Sequence, residues 1–275
     1  MVLSYTPLTD KLFRQFSALV YEQTGIFLKP EKRELLNARL GKRLRFCKIN
    51  SFQEYYDYVV NDPDGNELIH LIDAVSTNFT SFFREKTHFD YLSATVLKEY
   101  AAQGVGGDFK VWSAACSSGE EPYTLAIVLA EFAAQGRPFR YTIHATDIST
   151  KVLAIAEKGV YPTEKVQGMA PNLVRTYFQK GKGSSEGHVK VKKELRQAVQ
   201  FSRFNLMDSY PWHEEFDVIF CRNVMIYFNR ETQQQLVDKF YNCLKPGGYL
   251  FIGHSESLTA INHRFRQVTT TGYKK

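Results

Sequence analysis

Cysteine is scarce: the chain has four, Cys47, Cys116, Cys221 and Cys243, spaced far apart. No Cys-x-x-Cys pair occurs and no His stands at zinc-finger spacing, so neither a disulfide framework nor a structural zinc site is expected. Long apolar runs are also missing. Stretches such as 125–130 are broken well short of the ~20 residues a membrane-spanning helix needs, so no span or direct bilayer insertion is expected. The first ten residues lack both a basic flank and an apolar leader stretch, and the chain is expected to stay in the cytosol. No Gly-x-Gly-x-x-Gly string appears, and no internal repeat.

What is present describes a folded protein. The 275 residues are 44% hydrophobic and 23% charged, with 21 Phe and 16 Tyr. That is too apolar for disorder, and at ~150 residues per domain it suggests about two domains. The net charge of +6 favours an acidic partner, whether nucleic acid, anionic lipid or a protein surface.

Up to residue 76 the apolar spacing is helical, and Gly, Pro and Asp divide it into four segments. Leu12, Phe13, Phe16, Leu19 and Val20 predict a helix ending at Gly25. Leu35, Leu36, Leu40 and Leu44 predict the inward face of a second. Ser51 and Glu54 read as a capping box starting a third, and a fourth follows Gly65. After Lys98 short β-branched and aromatic runs alternate with helical ones across a glycine-rich join at 104–108, which is βαβ patterning. Strands are predicted over 109–114, 141–145, 199–204, 216–221 and 249–253, with helices over 121–134, 151–157 and 231–244. The turn Lys245-Pro246-Gly247-Gly248 reads as a helix-to-strand connection. About forty residues, 161–200, interrupt the alternation as an inserted subdomain with a β-hairpin. The expected division is a helical domain over 1–76, a linker and helix over 77–108, and a mostly parallel sheet domain over 109–275.

Five places draw attention for chemistry. The small residues Ala114-Ala115-Cys116-Ser117-Ser118-Gly119 follow the first strand, where an open α/β sheet admits a ligand. Glu120 and Glu121 come next, where they would repel a phosphate and tolerate a cation; Glu120 reads as complementing the helix dipole and Glu121 as a ligand contact. Asp147 ends the second strand, where its position favours ribose hydroxyls over the plainer reading as a cap for the next helix. Asn205 and Leu206 could line an adenine. Arg222, Asn223 and Tyr227 leave an apolar strand at the same edge, where a cation needs a partner. The segment Ser76–Glu85 interleaves polar groups with Phe79, Phe82 and Phe83 as a lid would, and packing does not explain Arg84.

Together, Thr77-Asn78-x-Thr80-x-Phe82-Phe83-Arg84-Glu85, Ser118-Gly119-Glu120-Glu121-Pro122-Tyr123, Cys221–Phe228 and Gly253-His254-Ser255-Glu256 resemble the CheR family, the S-adenosylmethionine-dependent glutamate O-methyltransferases of bacterial chemoreceptors. The resemblance covers nearly the whole chain. It implies a Rossmann-like class I methyltransferase domain with an inserted β-subdomain, preceded by a small all-α domain. By motif correspondence Asn78, Thr80, Arg84, Glu121, Asp147, Asn205, Leu206, Arg222 and Asn223 would contact the cofactor, and Arg84 and Tyr227 would also face the reacting groups. No metal is implied. Some members bind a receptor tail peptide at the β-subdomain, and Gly181-Lys182-Gly183 looks like that class. Cys116 stands where a small residue is expected, which bears on oxidation more than on binding.

The eight cations over 29–48, against Glu31 and Glu34, read as a solvated face or as a dock for acidic receptor helices, and docking is favoured. A nucleic-acid methyltransferase is the rival enzyme; it would need an Asp/Asn-Pro-Pro-Tyr tetrad after the fourth strand, where Arg222-Asn223-Val224-Met225 stands. A non-catalytic cofactor sensor is the other, and the presence of Arg84 and Tyr227 opposes it.

Overall fold

The structure, a computed structural model, describes residues 7–104, 107–136, 139–213 and 215–275. Residues 1–6 of the expected helical domain and part of the glycine-rich join lie outside them.

Four helices come first, α1 (Asp10–Thr24), α2 (Arg33–Cys47), α3 (Phe52–Val60) and α4 (Asn66–Val75), as the periodicity predicts. Gly25 ends α1 at φ 72° and returns its N–H to the Tyr21 carbonyl; its Cβ position lies 2.5 Å from Met207 Sδ, so a side chain there would be strained and would have to displace Met207. The Ser51 hydroxyl accepts from the Glu54 N–H as expected, but the Glu54 carboxylate takes the N–H of Asn50 rather than that of Ser51. Leu36, Leu40 and Leu44 are buried with Phe16, Val20 and Tyr55. Leu35 departs from the predicted inward face and is 42% exposed, because the buried stripe of α2 is the i, i+4, i+8 series starting one residue later.

A helical stretch follows as α5 (Thr87–Tyr91), a π turn (Leu92–Val96) and α6 (Leu97–Ala102). Then come β1 (Asp108–Ala114), α7 (Glu120–Ala133), β2 (Arg140–Asp147) and α8 (Thr150–Lys158). The inserted region holds β3 (Val160–Pro162), α9 (Pro171–Tyr177), β4 (Phe178–Lys180), β5 (His188–Val191) and α10 (Lys193–Gln197). It forms a three-stranded antiparallel sheet, β3-β5-β4, rather than a lone hairpin. The chain finishes with β6 (Val199–Arg203), β7 (Phe216–Cys221), α11 (Arg230–Cys243), β8 (Leu244–Ile252), β9 (Arg266–Thr269) and β10 (Gly272–Lys274).

The large sheet runs β6-β2-β1-β7-β8-β10-β9. Neighbours from β6 to β8 are parallel, and β10 pairs antiparallel with both β8 and β9, so β10 alone is reversed. The sequence reading lacks β9 and β10, which are four and three residues long and too short for alternation to register. It also misplaces Lys245–Gly248: β8 begins at Leu244, paired with Phe216, and the pairing shifts before Val218 meets Tyr249. The Pro-Gly-Gly string thus lies inside the strand, at an irregularity in its register.

Both faces of the sheet are covered, as parallel strands require. Val111 of β1 joins one core with Phe89, Leu129 and Phe220; Trp112 joins the other with Phe216, Leu236 and Phe240. From β1 the strand order departs one way to β2 and β6 and the other way to β7 and β8. That reversal opens a crevice at the carboxyl ends of β1 and β7.

Candidate active site

A cavity of about 510 Å³ fills the crevice, within the ordinary range for small-molecule sites. Asn78, Thr80, Arg84, Glu121, Asp147, Asn205, Leu206, Arg222, Asn223 and Tyr227 all line it, so every residue expected to touch cofactor or reacting groups lies at one site, whereas Glu120, Phe82 and Phe83 do not line it. The helical domain supplies the facing wall through Ile26, Phe27 and Leu35.

The loop after β1 is shaped by backbone rather than by glycine spacing. Ala115 and Ser117 adopt φ of 72° and 49°, uncommon for side-chain-bearing residues, and the N–H groups of Ala115 and Cys116 both donate to the Thr146 carbonyl at 2.9 and 2.8 Å. Asp147 holds the next turn. Its carboxylate accepts from the Ser117 N–H at 2.8 Å and the Ser149 N–H at 2.9 Å. The cap of α8 is Ser149, whose hydroxyl accepts from Val152, so the capping explanation of Asp147 is displaced. Burial raises the proton affinity of Asp147 against those N–H donors. Cys116 is also buried, and that pushes its thiol well up and keeps it protonated.

Arg222 is the hub of the site. Its side chain is 2% exposed and pairs with Glu85 at 2.9 Å and Glu121 at 3.1 Å. It also donates to the Arg84 carbonyl and lies over the Phe89 ring. Burial pushes Glu85 up, but the hydrogen bond and charge of Arg222, with the Asn223 amide and the His254 N–H, outweigh it and hold the carboxyl down to about 2. Burial prevails at Glu121, which is raised although Arg222 and the Ser113 hydroxyl oppose it. Arg222 and Glu121 therefore engage one another more than they offer free valences to a ligand.

Glu85 and its neighbours are the residues that sequence reasoning left without a role. Glu85, His88 and His254 bring ligand atoms within 4.8 Å of one another, but both Glu85 oxygens already accept from Arg222, Asn223 and His254. Burial and the nearby Arg222 charge lower His88 to about 4, so its imidazole is neutral. Glu256 is another omission: its carboxylate accepts from the N–H groups of Gly253, Asn223 and Ile226, fastening the turn that carries Tyr227. At Gly253 a Cβ would fall 2.8 Å from the Asn223 nitrogen.

Arg84 and Tyr227 differ from this network. Arg84 donates to the Phe79 carbonyl at 2.8 Å and its guanidinium lies over the Phe79 ring, with no carboxylate partner among the described residues. The Tyr227 hydroxyl makes no hydrogen bond among them either. Phe79 is 74% exposed, so the segment 76–85 presents an open face.

The helical domain is bonded to this machinery. Ile26 and Phe228 form an isolated antiparallel bridge, and the Phe27 N–H donates to the Tyr227 carbonyl at 2.8 Å. The Asn205 amide donates to the Gln23 carbonyl at 2.7 Å, so its side chain serves the domain contact while its position lines the cavity. Glu120, read as a dipole complement, is fully buried and paired with Lys165 of the insert at 2.9 Å.

Comparison with known proteins follows this layout. Residues 11–76 match the family described as CheR methyltransferase, all-alpha domain, and residues 78–274 match CheR methyltransferase, SAM binding domain. The chemotaxis protein methyltransferase of Escherichia coli is 39% identical over 259 residues, 94% of this chain and 88% of that protein. Its counterpart in Klebsiella aerogenes is 41% identical over 260 residues, covering 94% and 87%. The one from Borreliella burgdorferi is 39% identical over 271 residues, covering 97% and 94%.

Proposed function

The chain belongs to the CheR methyltransferase family, and on that premise we propose that it methylates glutamate side chains of chemoreceptors, forming glutamate methyl esters and S-adenosylhomocysteine. S-Adenosylmethionine supplies the methyl group. A cavity of this size, a backbone loop of small residues after β1 and a buried Asp147 at the end of β2 suit its nucleoside, with Asn205 and Leu206 beside the base and Asn78, Thr80, Arg84, Glu121, Arg222 and Asn223 around the rest.

The observation that carries the reading is that Arg84, with no carboxylate partner among the described residues, and Tyr227, whose hydroxyl is unbonded among them, both line the cavity. A glutamate carboxylate with an ordinary pKa of ≈ 4.3 is already ionised at neutral pH, so no general base is needed. What the protein supplies is alignment and removal of water, and orientation of this kind is worth up to ~7–11 kcal/mol. The acceptor's negative charge disappears during transfer. A tight grip on that charge would favour the ground state, so Arg84 orients the carboxylate and Tyr227 donates one directional hydrogen bond.

The acceptor arrives on acidic receptor helices docked against 29–48. Arg33, Arg39 and Arg43 there are engaged within the helical domain, whereas Lys29, Lys32, Lys42, Arg45 and Lys48 have no partner among the described residues. A receptor tail peptide binds the small β3-β5-β4 sheet, which recruits the enzyme to membrane receptor arrays. No described helix is long and apolar enough to cross a membrane.

Incubation with methyl-labelled S-adenosylmethionine and receptor-bearing membranes, followed by mild alkali, tests the assignment. Label on receptor protein that is released as methanol supports an ester. Alkali-stable label, or label transferred to added RNA instead, overturns it.

A further inference from the structure

Glu120 opens α7 with its side chain 1% exposed, and it does not line the cavity. Its carboxylate accepts from Lys165 Nζ at 2.9 Å and from the Ser118 hydroxyl at 2.6 Å. Lys165 belongs to the inserted subdomain, on the short 3-10 turn Thr163–Val166. The same ammonium donates to the Thr80 carbonyl at 3.1 Å. One insert side chain thus joins two segments that are far apart in sequence: the lid, through Thr80, and the turn entering α7, through Glu120. Both border the cavity, at Thr80 and at Glu121.

The surrounding contacts follow the same course. Phe82 of the lid meets Tyr161 and Phe178 of the insert edge-on at 5.1 and 5.4 Å. The Tyr161 hydroxyl donates to the Ser118 carbonyl at 2.7 Å. Gly119 between them has φ 94°, and a Cβ there would fall 2.8 Å from the Tyr161 oxygen. The insert therefore packs directly against the turn that leads into the cavity-lining Glu121.

We infer that Lys165 is a positioning residue for cosubstrate binding, fixing the separation between Thr80 and the start of α7 so that the inserted subdomain forms part of the S-adenosylmethionine site. The inference rests on the proposed occupancy of the cavity by that cosubstrate. An ammonium has three donors and no acceptor, which suits a bridge to a carboxylate and a carbonyl on separate segments. The plainer role is compensation of a buried charge, and the two roles differ in what removal of Glu120's charge repairs.

The experiment measures S-adenosylmethionine affinity by calorimetry, with the melting temperature of the ligand-free protein, for wild type, Lys165→Met, Lys165→Arg, Glu120→Gln and the Lys165→Met/Glu120→Gln pair. Lys165→Met is expected to weaken affinity about tenfold, a size typical of groups sharing one network, and Lys165→Arg to recover most of it. The double variant is expected to regain melting temperature while affinity stays low, because the Thr80 carbonyl remains unheld. Affinity within twofold of wild type in Lys165→Met, or full recovery of affinity in the double variant, overturns the positioning role. Wild-type protein that fails to bind S-adenosylmethionine overturns the occupancy reading itself.

Discussion

Arg222 and Glu85 stand 137 residues apart in the chain and meet at 2.9 Å as a largely buried pair, their side chains 2% and 11% exposed. Removing one partner of a buried pair strands the other. Glu85→Gln is therefore expected to destabilise the protein by about 3 kcal/mol, read as a lower urea midpoint at unchanged slope. A loss below ~1 kcal/mol would mean that Glu121 alone satisfies Arg222.

Acid should weaken the fold in two stages. His88 is lowered from 6.5 to about 4, so between those values the unfolded chain binds a proton that the folded chain refuses, and stability falls as pH falls. Glu85, lowered from 4.5 to about 2, adds the same sign of loss below pH ~5. Both losses run in the same direction, each across its own window. The raised Asp147 and Glu121 act with the opposite sign. His88→Phe should flatten the stability curve between pH 6.5 and 4, measured by urea titration at several pH values; an unchanged curve assigns that slope elsewhere.

Asp147→Ala should weaken S-adenosylmethionine binding about ten- to a hundredfold, the value of hydrogen bonds to a charged group. Part of that loss comes through the Ser117 N–H, which Asp147 holds in its left-handed turn. Calorimetry reads it directly, and unchanged affinity leaves Asp147 with only its loop-holding role.

Arg84→Ala should lower kcat at saturating S-adenosylmethionine by about tenfold or more, with little change in melting temperature, since no carboxylate among the described residues depends on it. Misplacement of a reacting group by one ångström is enough for such an effect. Tyr227→Phe should act in the same direction. Wild-type turnover in either variant removes that residue from the reacting end of the cavity.

Receptor methylation should fall as salt rises from low ionic strength, because the Debye length shrinks to ~10 Å at 0.1 M. Lys42→Glu combined with Arg45→Glu, neither of which lines the cavity, should raise KM for receptor and leave S-adenosylmethionine affinity intact. A salt-independent rate would place the docking surface elsewhere.

The placement of Asp147, Arg222 and Tyr227 is legible because strand ends in an open sheet converge, so a polar residue after an apolar run marks the edge in advance. The four N-terminal helices are legible for the same reason of periodicity. Glu85, Glu256 and Lys165 carry no such mark. Each acts through a partner from another element, Glu85 with Arg222 and Lys165 with Glu120, and nothing local distinguishes a carboxylate that will be buried from one that will be solvated. Lys245–Gly248 misled for a related cause: Pro and Gly signal a turn locally, whereas the pairing of Leu244 and Tyr249 with β7 on either side keeps that irregular stretch within the strand.

The single antiparallel rung between Ile26 and Phe228 ties the backbone of the Tyr227 turn to the loop after α1. A chimera that borrows its helical head from another protein must reproduce that rung in register, because a slip of one residue would turn the loop's side chains to the wrong side and leave the tyrosine turn without its brace. Interchange of heads is thus constrained by backbone fit as well as by surface charge.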